Sequence, residues 1–446
     1  MFERTHAGTL AQEVDRLAAD PRVHRIFQWF SRHERELADF QLAITAVPAP
    51  SFAEHARAEW LCRKLQSLGL PVSTDAAGNL LAARPGRQSD SAAITVSAHL
   101  DTVFAAGTSL DVHREHSRLF GPGISDNGSG LTALWALASA FHAAGIVTVL
   151  PLLFVANVGE EGDGNLRGVR HLYREQLNHA AAIPDSAPAP SIALLIALDG
   201  AGTDNIISQA LGSRRFEVVI SGPGGHSWSD YGTPNPIVAA SLAVAALFRI
   251  PLPVKPRTTL NVGCIQGGTS VNAIPELAAF KVDLRSADPH RLNELEQHLR
   301  RVVAQACVET EANSSNPPGD RRTSPPPIPR PRLTHSITLA GERPAGELSD
   351  DSHLLAAVRA VDAQLGIRSD LLRASTDANI PLSLGLEAIT LGAGGAGGGA
   401  HTVHEWYDPA RRDQALKRLT LLLLLLAGIE PSNLADPEEL DPEESA

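Results

Sequence analysis

Five stretches of this sequence set histidines and carboxylates where apolar runs end. In SAHLDTV, His99 and Asp101 lie two positions apart. On a strand that spacing points both side chains to one face. A histidine there can ligate a metal, and the aspartate can accept its other ring N–H or steer a neighbouring group. GPGISDNGSG sets Asp126 in a glycine-rich turn ahead of a helical stretch. In ANVGEEGDGN, Glu160 and Glu161 follow a buried-type run directly. Adjacent carboxylates repel each other unless a cation is present. One can ligate a metal while the other handles the proton of a water. LLIALDG ends on Asp199 and its glycine, and GAHTVHEWYD brings His401, His404 and Glu405 after a long glycine loop.

Each stretch alone has a plainer reading: a strand-end His–Asp hydrogen bond, a helix cap at Asp126 or Asn127, a solvated acidic loop. Their common placement is what points to chemistry. Ligand sites in open α/β sheets lie outside the carboxyl ends of the strands. Groups at several such ends converge on one edge. The inventory is two histidines and three carboxylates without a thiolate, which suits zinc, cobalt or manganese. It exceeds what one catalytic zinc with an open position needs. It fits two metals sharing a carboxylate and a water, about 3.5–4 Å apart.

The elements that must position these groups alternate along the chain. Residues 1–46 read as helical, and residues 53–69 as an amphipathic helix closed by Gly69. AAITVSAHL, VLPLLFVANVG and SIALLIALDG read as buried strands, and GLTALWALASAFHAAG as a helix. Apolar strands alternating with helices predict an α/β fold, with a mainly parallel sheet covered by helices on both faces. A β-α-β-β-α series from Arg214 predicts an inserted α+β domain. Its last helix opens on Asp288 as cap. The expected division is a catalytic domain over 1–213 and 341–434, an insert over 214–340 and an acidic tail over 435–446. The proline-rich stretch 314–332 reads as an exposed excursion within the insert. There is no internal repeat.

The 446 residues are 43% hydrophobic and 20% charged, with a net charge of −12. That is ample for a core and lacks the basic excess of a general nucleic-acid binder. Three dispersed cysteines argue against a disulfide framework and fit a reducing compartment. The start lacks a signal-type apolar core. The longest apolar run, Leu419–Ile429, is shorter than the ~20 residues a bilayer span needs. It reads as a buried C-terminal helix, and the protein as cytoplasmic with no membrane partner.

The order HxD, GxGxxDNxxG, EEG, a strand-end Asp and HxxxE resembles the di-zinc metallopeptidase family twenty. Its members include peptidase T, glutamate carboxypeptidase, acetylornithine deacetylase and succinyl-diaminopimelate desuccinylase. The resemblance runs from about Val47 to Asp408. It implies that His99 and Asp199 hold one metal and Glu161 and His401 the other. Asp126 would bridge them, ahead of a cis peptide to Asn127. It implies Glu160 as the general base and Asp101 as the residue orienting His99. His401 takes the ligand place because Glu405 follows four residues later, with His404 as the competing candidate. The insert resembles a lid that also pairs subunits into a homodimer. SGPGGHSW puts His226 where a histidine helps hold an oxyanion, often across the dimer interface. GGTSVNAIP puts Asn272 at a substrate position. KVDLRS puts Arg285 where relatives bind a substrate carboxylate, a task suited to a guanidinium fork. A surface ion pair with Asp283 is the alternative for Arg285. The implied activity is hydrolysis of an amide bond, in short peptides or alternatively in N-acyl amino acids. Two departures stand out: the long proline-rich stretch and the dense glycine run GAGGAGGG.

Three other classes fit less well. Gly392, Gly394 and Gly397 spell GxGxxG after a strand, but the loop runs into His401 and Trp406 rather than a helix, unlike a dinucleotide site. GxSxG and HExxH are absent. A non-catalytic metal- or peptide-binding relative would be expected to lose the base, and Glu160 is retained.

Overall fold

The structure is a computed structural model that describes residues 7–174, 191–314 and 332–430. The acidic tail and all but the two end residues of the proline-rich stretch fall outside these residues. In chain order the strands before the insert are β1 (Val72–Thr74), β2 (Leu80–Arg84), β3 (Ala93–His99), β4 (His113–Glu115), β5 (Arg118–Phe120), β6 (Leu152–Asn157), β7 (Ile192–Leu198) and β8 (Asn205–Ala210). Then follow β9 (Gly212–Ser221), β10 (Gly225–His226), β11 (Thr258–Gly267), β12 (Ala273–Ile274), β13 (Leu277–Ser286) and β14 (Thr334–Arg343). The last are β15 (Gly346–Glu347), β16 (Asp370–Ala374), β17 (Ala388–Leu391), β18 (Ala396–Gly398) and β19 (Trp406–Asp408).

The main sheet runs β1-β2-β6-β3-β7-β17-β8-β15, with β16 also on β8. Its centre, β6-β3-β7-β17, is parallel, and antiparallel pairs flank it. The central strands are apolar along their length because both faces are covered. On β6, Leu152 and Phe154 join the core cluster on one side, and Leu153 and Val155 the cluster on the other. Burial of each such side chain contributes roughly 1.5–3 kcal/mol. One face packs on the helices Gly128–Ala143 and Arg412–Ala427, the other on the short helices Arg167–Leu172 and Asn379–Ser383. The helix Gly128–Ala143 starts where Asn127 Oδ1 accepts the Gly130 N–H at 3.0 Å.

The leucine run is a buried helix, as its length predicted, and it carries two buried arginines. Arg418 grips Asp362 with two bonds of 2.6 Å, and Arg412 reaches Gln41 at 2.6 Å. Among the described residues no helix is long and apolar enough to cross a membrane.

A second, antiparallel sheet runs β11-β13-β9-β14. The helices Pro236–Leu247 and Pro289–Ala312 cover one face of it and form a separate core with Phe216, Phe280 and Leu299. Asp288 caps the second helix, its Oδ1 accepting the His290 N–H at 2.8 Å. The sequence reading stopped at this helix and missed β14, which returns beyond the proline-rich stretch. The second sheet therefore spans Gly212 to Arg343. β18, β19, β5 and β4 form a small third sheet beside the loop that carries Asp126.

Candidate metal centre

The carboxyl ends of β3, β6 and β7 deliver His99, the Glu160–Glu161 pair and Asp199 to one edge of the main sheet. The turn before the helix Gly128–Ala143 adds Asp126, and the loop after β18 adds His401. Three overlapping groups result: His99 with Asp126 and Asp199, Asp126 with Glu161 and His401, and His99 with Glu160 and Glu161. Within each, ligand-capable atoms lie within 4.8 Å of one another. Among the described residues no such group contains His404, which is exposed.

Asp126 divides its two oxygens. Oδ1 faces His99 Nε2 at 3.0 Å, and Oδ2 faces His401 Nε2 at 3.1 Å. Asp199 Oδ1 lies 3.7 Å from His99 Nε2, and Glu161 Oε1 3.0 Å from His401 Nε2. The Asp126–Asn127 peptide is cis, and His401 sits at φ 64. His99 Nδ1 lies 3.0 Å from the carbonyl of Asp101, so in the neutral ring it carries the proton and leaves Nε2 a bare acceptor. That Nε2 and Asp126 Oδ1 are both buried without a hydrogen-bond partner. Two unpartnered acceptors facing each other in the interior are costly unless a cation lies between them. The residues thus fit divalent metals.

The electrostatics agree. A proton is the alternative cation between Nε2 and Asp126: burial opposes a charge on His99, yet Asp101, Asp126 and Asp199 hold its pKa well above the usual histidine value. Hydrogen bonding to Asp126 raises His401 to about 9, against some desolvation. Burial raises Glu161 and lifts Glu160 well above the carboxylate range, although Arg343 pulls Glu160 back. A pocket that attracts protons this way also attracts metal cations.

The Asp101 group that meets His99 Nδ1 is its backbone carbonyl. Its Oδ1 is 3.6 Å from Nδ1, and the carboxylate serves the acidic loop instead. Oδ1 accepts the Glu160 N–H and Oδ2 the Glu161 N–H, both at 2.9 Å, while Ser51 Oγ donates to Oδ2 at 2.7 Å. Burial opposes the Asp101 charge, but His99, Ser51 and the Glu161 N–H bring its pKa down to about 2.

Three residues around the centre escaped the sequence reading. Glu405 had served only to choose between histidines. Its fully buried carboxylate accepts the N–H groups of Gly123, Ser125 and Asp126 at 2.7–2.8 Å, fixing the Asp126 turn. The HxxxE spacing was its only signal. Asp377 is buried, accepts the Asn157 amide at 2.7 Å and is pushed up to about 7 by burial. Arg343, at the end of β14, donates to Glu160 Oε1 at 2.8 Å.

His226, Asn272 and Arg285 make their contacts within the second sheet and its loops. His226 is exposed on β10, which pairs with β12, and its Nδ1 accepts the Trp228 N–H at 3.2 Å. Asn272 Oδ1 accepts from Ser270 Oγ at 2.6 Å. Arg285 bonds Asp283 through Nε at 2.7 Å, the ion pair foreseen as its alternative. The glycine run is no phosphate loop: a Cβ at Gly397 would collide with Ser125 Oγ, so the run packs closely on the Asp126 turn.

Comparison with known proteins agrees with this fold and site. The model of peptidase family M20/M25/M40 matches residues 95–427. The chain belongs to that family, and with it to the metal-dependent peptidases and amidohydrolases. It is similar in structure to aminopeptidase PepT from Bacillus cereus, with TM-score 0.67 and 18% identity over 88% of this chain and 98% of that one. It is also similar to the YXEP protein of Bacillus subtilis, a dinuclear metal-binding peptidase of the M20 family, with TM-score 0.60, 15% identity and coverage of 89% and 99%. The uncharacterized protein YqjE of Bacillus subtilis is 22% identical over 378 residues, 81% of this chain and 91% of that protein's length.

Proposed function

We propose that this protein is a two-metal peptidase acting on short peptides. The observation that carries this reading is the division of Asp126 between two histidines, His99 and His401, whose sides Asp199 and Glu161 complete. His99 and Asp199 would hold one cation and Glu161 and His401 the second, with Asp126 shared between them. Zinc suits this nitrogen and oxygen set, with cobalt or manganese as substitutes. Bound there, the metals supply Lewis-acid polarisation of the scissile carbonyl and an acidified water.

The remaining work falls to the protein's own groups. Glu160 takes the proton of the attacking water and passes it to the leaving amine nitrogen. Arg343 occupies one oxygen of Glu160, which leaves the other for the proton. Asp101 holds the Glu160 and Glu161 backbone in place. His226 donates to the developing oxyanion. Asn272 and Arg285 grip the substrate's carboxylate end, with Arg285 turning from Asp283 toward it. These three reach the centre through closure of the lid, residues 214–340, or across a homodimer formed by it. A cytoplasmic location completes the reading.

A panel of di- and tripeptides against N-acetyl and N-succinyl amino acids, with metal analysis of the same sample, tests it. Hydrolysis of peptides with two metals per chain is the expected result. Turnover of acyl amino acids alone would make the protein a deacylase. Metal binding without turnover of any of these compounds would leave a non-catalytic binding protein.

A further inference from the structure

The chain crosses between its two sheets at two points. It leaves β8 at Ala210 and enters β9 at Gly212, then leaves β14 at Arg343 and re-enters the main sheet at Gly346. The crossings are neighbours, because Arg343 pairs with Ser213 in the second sheet. Any swing of the lid turns about this root.

The root grips the acidic loop. Arg343 is buried, and its Nη1 donates to Glu160 Oε1 at 2.8 Å and to Ser375 Oγ at 3.2 Å. Its Nη2 donates to the Glu160 carbonyl. From β9, Arg215 Nη1 donates to the Gly162 carbonyl at 3.0 Å. From the loop side, Asn165 Oδ1 accepts the Glu342 N–H at 3.0 Å, and Arg170 donates to the Glu342 carbonyl. Residues 160–170 are thus bound to the ends of both lid strands. A guanidinium fork that holds a carboxylate oxygen and the carbonyl of the same residue fixes that side chain in direction as well as place.

We infer that Arg343 is a positioning residue, which sets the Glu160 carboxylate and makes its placement depend on the orientation of the lid. A small misplacement of a catalytic group costs on the order of 10²-fold in rate. The inference rests on Glu160 being the base, and Glu160→Gln alone tests that premise.

The experiment compares Arg343→Ala, Arg343→Lys, Glu160→Gln and the Glu160→Gln/Arg343→Ala double variant. Measured are kcat, KM, metal content and amide hydrogen exchange by peptide. Arg343→Ala is expected to lower kcat about 10²-fold, with KM and metal content retained. Exchange should speed up in the 159–166 loop and stay unchanged in β6 and β13. Lysine should restore part of the rate, and the alanine change should cost nothing further on top of Glu160→Gln. An unchanged kcat, or a rise in KM alone, overturns the inference. So does a loss of metal or faster exchange throughout the chain that lysine fails to rescue, since that marks a structural role. If Glu160→Gln stays active the base assignment falls, while the loop exchange still reports whether Arg343 holds the loop.

Discussion

Glu405 accepts the backbone N–H of Asp126 at 2.7 Å across 279 positions of sequence. The turn that presents the shared carboxylate is therefore held in shape by the far end of the chain.

Replacing Glu405 by Gln keeps the volume but turns an acceptor into an amide that faces N–H donors. A buried donor left unsatisfied costs about 1–3 kcal/mol, and loss of a partner behind a ligand typically costs about 10–100-fold in metal affinity or activity. The variant should fold with a lower melting temperature and bind metal more weakly. Titration with zinc in a competing chelator measures the second effect. Unaltered affinity would show that the turn holds its shape without Glu405.

Glu160→Gln should lower kcat at least ~10²-fold while both metals remain bound. Steady-state kinetics with metal analysis decides it. Full activity would move the base elsewhere, and Asp377 would be the next carboxylate to test.

Chelation should abolish activity, with zinc, cobalt or manganese restoring it. The metal-free protein should also melt lower. A ligand that binds only the folded state stabilises it by about 2.7 kcal/mol at a hundredfold excess over its Kd. A melting temperature indifferent to added zinc would contradict the site.

Asp20 offers a pH test remote from the metals. It caps the helix Pro21–Arg32, accepting the Arg22 N–H at 2.7 Å and the Arg22 guanidinium at 2.6 Å. The hydrogen bonds to Arg22 lower its pKa below the ordinary value, against a smaller effect of burial. A depressed folded pKa means the stabilisation is complete above the unfolded value, ~3.9, and is lost as pH falls through the folded value. Asp20→Ala should cost about 0.5–2 kcal/mol near neutrality, and the gap to the parent should narrow below pH ~4. Urea melts at several pH values read this directly. A gap independent of pH would mean that the carboxylate's charge contributes nothing.

What the sequence revealed follows from how each signal is encoded. β3, β6 and β7 are buried on both faces, so they read as unbroken apolar runs, and the residue after each run had to lie at the sheet edge. His99, Glu160, Glu161 and Asp199 were legible for that reason. His401 was legible through its spacing to Glu405. Arg343 was not, because its partner Glu160 lies 183 positions away and an arginine before a proline has no local signature. β14 was hidden by the proline-rich stretch before it. The atom by which Asp101 meets His99 was also invisible, since spacing names a residue and not which of its oxygens is used.

The place of β17 has a consequence for biosynthesis. It lies between β7 and β8, strands made nearly two hundred residues earlier, and pairs with both. Until the ribosome has passed Leu391, β7 and β8 each keep an open edge inside what will become the middle of the sheet. Unpaired edges of apolar strands recruit other chains. A nascent or truncated chain that ends before that point lacks His401 and leaves two apolar strand edges open to other chains.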